Sequence, residues 1–267
     1  MSRVTKISWC DATFNPWVGC SKVSPGCAHC YAEIWGHRFG VPWGPGQPRR
    51  RTSAANWRQP LRWNKQAIAD GIRPRIFCSS LSDWLDDEVP ATWLSDLLAL
   101  TSWTANLDWL LLTKRPESWQ ARLNAVYEDN PQSIGATVAR DWLDGEKPQN
   151  ILIGWTAEDQ PHFDERTPHG FLIPAKTYFV SCEPLLGPID LHLGGIEEPC
   201  QDIGWVICGG ESGTDARFMS QTWARSLLDQ CKAGYVAFWM KQLGGHPDSL
   251  HELLDFPEDL RVRELPR

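Results

Sequence analysis

Short apolar runs alternate with amphipathic stretches along most of this chain. The runs are Arg75–Cys78 (RIFC), Trp109–Leu112 (WLLL), Ile151–Trp155 (ILIGW), Thr177–Val180 (TYFV), Trp205–Cys208 (WVIC) and Tyr235–Met240 (YVAFWM). They are apolar at consecutive positions rather than at every second one. Strands of that kind are buried on both faces, as in a parallel sheet covered by helices. Helical stretches lie at Ala91–Leu100, Pro116–Val126 and Gln221–Ala233, with two earlier ones at Tyr31–Phe39 and Trp63–Ala69. Ile7–Val18 adds a strand-like segment that turns at Asn15-Pro16. About seven βα units predict an α/β fold, a complete or partial TIM-like (β/α) barrel in one domain over residues 1–245. A doubly wound open sheet fits the same alternation. Residues 246–267 read as a C-terminal surface extension, and 41–60 as a long basic Gly/Pro/Arg loop.

Each strand ends in polar residues: Ser79-Ser80-Leu81-Ser82-Asp83, Thr113-Lys114-Arg115, Thr156-Ala157-Glu158-Asp159, Ser181-Cys182-Glu183-Pro184, Gly209-Gly210-Glu211-Ser212-Gly213 and Lys241-Gln242. In a β/α barrel the C-terminal strand ends carry the chemistry, so these groups are expected at one mouth. Charge balance among these acids and Lys114, Arg115 and Lys241 is the plainer reading. At least one of Glu158 and Asp159 is expected to cap the next helix.

The chain has 267 residues, 42% of them hydrophobic and 22% charged, which is the composition of an ordinary globular protein. Its net charge of −7 is not that of a nucleic-acid-coating protein, although a local basic patch is compatible with it. No run of about 18 apolar residues exists to span a membrane, and the N-terminus is too polar for a signal peptide. A cytoplasmic location is therefore expected, where nine cysteines point to metal ligation and buried thiols rather than disulfides. Cys78, Cys182 and Cys208 fall in apolar strands and read as buried thiols; Cys200 and Cys231 read as incidental. Sixteen tryptophans are many for this length and suit both core and stacking roles.

Cys20, Cys27 and Cys30 are separated by six and two residues, with a Pro25-Gly26 turn between the first pair. Three soft thiolates on one loop can hold an iron–sulfur cluster with one open iron. They also fit a zinc site closed by His29, His37 or Cys10.

A three-cysteine loop after the first strand of a βα barrel resembles the radical SAM superfamily, with two departures. The first gap is six residues instead of three, and His29 stands where an aromatic is usual. Asn15-Pro16-Trp17-Val18-Gly19-Cys20, Ser24-Pro25-Gly26-Cys27, Cys30-Tyr31-Ala32, Leu112-Thr113-Lys114-Arg115-Pro116, Ser181-Cys182-Glu183-Pro184-Leu185-Leu186-Gly187-Pro188, Gly209-Gly210-Glu211-Ser212-Gly213 and Lys241-Gln242 resemble, more narrowly, a phage and prophage family of radical SAM-like proteins with no assigned substrate. The resemblance covers roughly residues 5–245. It implies a radical SAM-type barrel in the cytoplasm of a bacterial host. Cys20, Cys27 and Cys30 would bind a [4Fe–4S] cluster whose open iron chelates S-adenosylmethionine. An external electron donor would reduce the cluster, and one-electron cleavage of the sulfonium would give a 5′-deoxyadenosyl radical. Cofactor-binding residues would be His29, Tyr31, Ser80, Asp83, Lys114, Ser181, Glu183, Gly209, Gly210 and Glu211. Gly209-Gly210-Glu211 resembles the superfamily's ammonium-binding element but follows a late strand rather than the second, so Asp83 and Glu211 both stand for that role. Glu183 would hold the ribose hydroxyls, and Lys114 and Arg115 a carboxylate or phosphate.

The segment from Arg49-Arg50-Arg51 through Arg58, Arg62 and Lys65 is a concentrated basic stretch interleaved with Trp57 and Trp63. It suits a nucleotide or nucleic-acid substrate, or a solvated surface loop. The alternative to an enzyme is a non-catalytic iron–sulfur or zinc-stabilised barrel that binds nucleic acid or a host protein.

Overall fold

The computed structural model describes residues 5–193, 202–213, 215–245 and 250–266. The chain is mixed α/β. Its strands are β1 (Ala12–Thr13), β2 (Trp17–Val18), β3 (Arg50–Arg51), β4 (Arg75–Cys78), β5 (Asp108–Thr113), β6 (Ile151–Thr156), β7 (Tyr178–Cys182), β8 (Ile203–Gly209) and β9 (Ala237–Gln242). Its helices are α1 (Tyr31–Arg38), α2 (Ala54–Trp57), α3 (Gln59–Asp70), α4 (Ala91–Trp103), α5 (Trp119–Asp129), α6 (Ile134–Leu143), α7 (Gln160–Phe171) and α8 (Gln221–Ala233). One seven-stranded sheet has the order β1-β4-β5-β6-β7-β8-β9, while β2 and β3 form a separate antiparallel pair. The main sheet follows chain order without the reversal a doubly wound sheet requires.

Two compact units divide the chain. The first comprises residues 1–22, 32–153 and 170–176; the second comprises 23–31, 154–169 and 177–267. In the first, β1, β4 and β5 pair in parallel. Helices α4, α5 and α6 pack together, and their core includes the stacked pair Trp84–Trp142, with ring centroids 5.9 Å apart. Helix α6, absent from the sequence expectation, buries a face of small residues, Gly135, Ala136 and Ala139, beside Trp142. Ser133 caps it by accepting from the Ala136 N–H.

In the second unit β7, β8 and β9 pair in parallel, and β8 is buried at nearly every position, as its unbroken apolar run predicts. Asp159 accepts from the His162 N–H and so caps α7. Helix α8 matches its expected bounds and is capped by Ser220. The tail differs from a surface extension. Met240 N–H donates to Val262 O and Glu264 N–H to Phe238 O, both at 2.8 Å, while Phe256 and Leu260 are buried. Residues 262–264 thereby take the outer edge of β9, the edge a complete barrel needs for closure. Seven of the sixteen tryptophans are almost wholly inaccessible, so core filling accounts for much of their number. Each such ring buries about 200 Å², a transfer gain of roughly 5 kcal/mol.

Candidate functional site

The first unit places a buried polar hub at the C-terminal ends of β4 and β5. Asp83 Oδ1 accepts from Thr113 Oγ1 at 2.7 Å and from the Leu85 N–H at 3.0 Å. Its Oδ2 accepts from the Lys114 N–H and from Arg115 Nη1, both at 3.0 Å. Asp83 thus has both oxygens engaged, and its cation is Arg115 rather than a ligand ammonium. Arg115 also reaches the cysteine loop: Nη2 donates to Ser21 O at 2.8 Å, and Nη1 lies 3.5 Å from Cys20 Sγ. Burial pushes the Cys20 thiol up to about 12, against the opposing pull of Arg115. Ser80 is held by Asn15, whose Nδ2 lies 3.0 Å from Ser80 Oγ and whose Oδ1 accepts from the Leu81 N–H at 2.8 Å.

The basic stretch is not one unstructured loop, since it contains β3 and α2 and runs into α3. Arg49 is buried, and Nε meets Asp86 Oδ2 at 2.8 Å while Nη2 donates to Ser21 Oγ at 2.7 Å. It holds the cysteine loop and is not available to a phosphate. Arg50 donates to Phe39 O. Arg51 pairs with Asp96 at 2.6 Å and lies 4.2 Å over the Trp57 ring. Arg58, Arg62 and Lys65 are exposed.

In the second unit, the rest of the cysteine loop is fastened by two acids. Pro25–Cys27 forms a 3₁₀ turn, and the Ser24 hydroxyl donates to Glu158. Glu158 is fully buried and pairs with Arg166 at 2.6 Å. Gly26 packs so closely on Glu158 that a Cβ there would lie 2.4 Å from its carboxylate oxygen. His29 Nδ1 lies 2.9 Å from Glu211 Oε2, and Arg217 engages both Glu211 oxygens while donating to Pro25 O. Burial raises the Glu211 pKa, but hydrogen bonds from Arg217 and His29 outweigh it and hold the group at about 2. Glu211 therefore carries an arginine and a histidine instead of an open carboxylate. Gly210 gives close approach to the Gly244 backbone, where a Cβ would meet it at 2.4 Å. Tyr31 begins α1 and is 40% exposed.

Glu183 differs from the other acids. It follows β7, and its Oε2 accepts from Lys241 Nζ of β9 at 3.0 Å. Its Oε1 is buried without a hydrogen-bond partner, as is Ser181 Oγ two residues earlier. Gly209 leaves room beside it, since a Cβ there would lie 3.1 Å from Oε1. Cys182 and Cys208 are wholly buried thiols, raised well above their ordinary range by burial; Cys78 and Cys231 are buried likewise, and Cys200 lies outside the described residues.

None of the eight described cysteines is in a disulfide, so all three loop thiols are chemically suited to a soft metal. Cys27 Sγ is 3.7 Å from the Ser24 hydroxyl, a weak contact, and the cation at Cys20 suits a thiolate. Among the described residues, no three His, Cys, Asp or Glu side chains stand grouped as a metal site. His37 lies on the exposed side of α1 near Glu33, and Cys10 is buried, 3.8 Å from Ile7 O. Arg115 was foreseen as a cation near acids. Arg166 and Arg217 were not, because each sits six to eight residues from its acid in no recognisable motif.

The fold and these groups define an α/β protein whose chemistry-bearing side chains stand at the C-terminal ends of parallel strands. The chain belongs to the DUF5131 family, described as proteins of unknown function, whose model matches residues 4–256. No curated protein and no solved structure matches the chain. No helix among the described residues is long and apolar enough to cross a membrane.

Proposed function

We propose that this protein is a radical SAM-type enzyme on a partial β/α barrel, with Cys20, Cys27 and Cys30 as the ligands of a [4Fe–4S] cluster. When bound, such a cluster supplies an open iron for S-adenosylmethionine and the electron that starts radical chemistry. The observation that carries the reading is the pair of unsatisfied buried oxygens, Glu183 Oε1 and Ser181 Oγ, at the C-terminal end of a parallel strand. Leaving such groups unmet costs about 1–3 kcal/mol each, a cost a ligand hydroxyl or ammonium would relieve. Among Asp83, Glu183 and Glu211, Glu183 alone keeps a carboxylate oxygen without a partner, so it takes the ligand-binding role in this reading. Lys241 holds its other oxygen at 3.0 Å. Arg115 offsets the negative charge of the Cys20 thiolate, while Ser24, Glu158, Arg166 and Arg217 set the path of the loop carrying Cys27 and Cys30.

The test is anaerobic reconstitution, with iron and sulfide analysis and EPR of the reduced protein before and after adding S-adenosylmethionine. About four irons and four sulfides, with a spectrum perturbed by the added compound, are expected. Replacing all three cysteines by alanine should abolish the cluster and preserve the fold. Zinc in place of iron, or iron and sulfide retained in the triple variant, would overturn the assignment.

A further inference from the structure

A pocket of about 390 Å³ lies within the first unit, between the α2–α3 region and the C-terminal end of α4. Its wall includes Trp57, Leu61, Leu100 and Trp103, with Arg51, Arg58 and Asp96 as its charged residues. That is the lower part of the size range of small-ligand pockets, and it suits one planar ring with its substituents. The two indoles differ. Trp57 is already covered by the Arg51 guanidinium, and Phe14 meets it edge-on. Trp103 is 54% exposed. An exposed indole beside an apolar pocket is a stacking platform for a flat ring. Trp57 Nε1 is buried without an acceptor, a donor that an occupant of the pocket can meet.

Asp96, the acid in the pocket wall, is paired with Arg51, which leaves Arg58 as the unpaired charge of the lining among the described residues. From Ile34 to Ala69 the sequence contains no Asp or Glu, although the chain as a whole carries −7. Acids from elsewhere neutralise Arg49 and Arg51. Arg58, Arg62 and Lys65 have no such partner among the described residues. Spaced by four and then three residues along the α2–α3 junction and α3, they share one helical face. Arg58 itself lines the pocket.

We propose that this surface docks single-stranded nucleic acid, with one base in the pocket on Trp103 and the flanking phosphates on Arg58, Arg62 and Lys65. A stacking ring beside a row of unpaired cations fits a polyanion that also presents unstacked bases. A duplex keeps its bases stacked and cannot fill the pocket. The pocket contains none of the three loop cysteines, so the proposal stands apart from the cluster reading.

The test is fluorescence anisotropy of labelled (dT)20 with the full-length protein over a salt series. Binding is expected to weaken as salt rises. The triple variant R58Q/R62Q/K65Q should flatten the plot of log K against log salt by about 2, as expected for three phosphate contacts on a single strand. Trp103→Ala should weaken binding about ten-fold and leave that slope unchanged. Lys147→Gln, on another exposed part of the unit, should change neither. The same binding is expected after the three loop cysteines are replaced, which separates this result from the fate of the cluster. Absence of binding at about 50 mM salt would overturn the proposal, as would a Trp103→Ala variant that melts and binds as the parent does. Displacement by poly-glutamate as effective as by (dT)20 would show an anion-only surface, which also overturns it.

Discussion

Arg115 Nη1 lies 3.0 Å from Asp83 Oδ2 and 3.5 Å from Cys20 Sγ. One guanidinium therefore joins the ends of β4 and β5 to the first cysteine of the loop. The pairing has opposite consequences for its neighbours. Arg115 and Asp83 neutralise each other, while the Cys20 thiol stays hard to ionise because burial outweighs the nearby cation.

With its pKa raised to about 12 by burial, metal-free Cys20 should react with iodoacetamide at pH 8 at least about ten-fold more slowly than an unperturbed thiol, the scarcer thiolate being only partly offset by its greater nucleophilicity. Arg115→Met should slow it further by removing the cation that favours the thiolate. Peptide-resolved mass spectrometry of alkylation time courses measures both rates. Alkylation of Cys20 as fast as a model thiol would sink this account.

Asp83→Asn should destabilise the first unit by about 3–5 kcal/mol, because it strips a buried arginine of its counter-charge. Urea unfolding at neutral pH reads this directly. Asp83→Asn combined with Arg115→Met should recover part of the loss, since the stranded charge is then gone. A double variant no better than the single one would show that the pair is not the source.

Glu211 links the cysteine loop to the end of β8 through Arg217 and His29. Its folded pKa is about 2 against an ordinary 4.5, so the carboxylate contributes fully above about pH 4.5 and is lost as pH falls toward 2. Glu211→Gln should cost about 2 kcal/mol at pH 7 through the weakened charge-assisted bonds. Its stability should also fall less steeply between pH 4.5 and 2 than that of the parent. Parallel acid titrations of the two proteins by circular dichroism test the slope.

Glu183→Gln should separate stability from ligand binding. One oxygen is already unsatisfied, so the substitution should cost less than about 1 kcal/mol in unfolding free energy beyond the weakened Lys241 contact. Binding of S-adenosylmethionine to the reconstituted protein should weaken at least ten-fold, measured by calorimetry. Unchanged binding would remove Glu183 from the site.

How much of this was legible beforehand depends on the range of the interaction concerned. Arg75–Cys78 and Gln221–Ala233 match their expected bounds because continuous burial, and a Ser220 cap with an apolar face, are local patterns. Helix α6 was missed because its buried face is made of glycine and alanine, which carry almost no periodic signal until α4 and α5 supply the surface they pack on. The tail misled for a similar reason: residues 250–264 are rich in charge and read as superficial, yet the backbone of 262–264 pairs with β9 and Phe256 and Leu260 are buried.

The sequence by itself determined the alternation of strands and helices, the three-cysteine loop and the polar residues at the strand ends, since each is written in residue type and spacing. Only the tertiary structure decided which charges are spent on one another. Asp83, Glu158 and Glu211 each acquire an arginine, Arg49 is consumed by Asp86, and Glu183 keeps an oxygen to spare. Those outcomes rest on distances of about 3 Å between residues that are often far apart in the chain. Coulomb attraction and hydrogen bonding depend on that separation in space, which residue type and spacing do not encode.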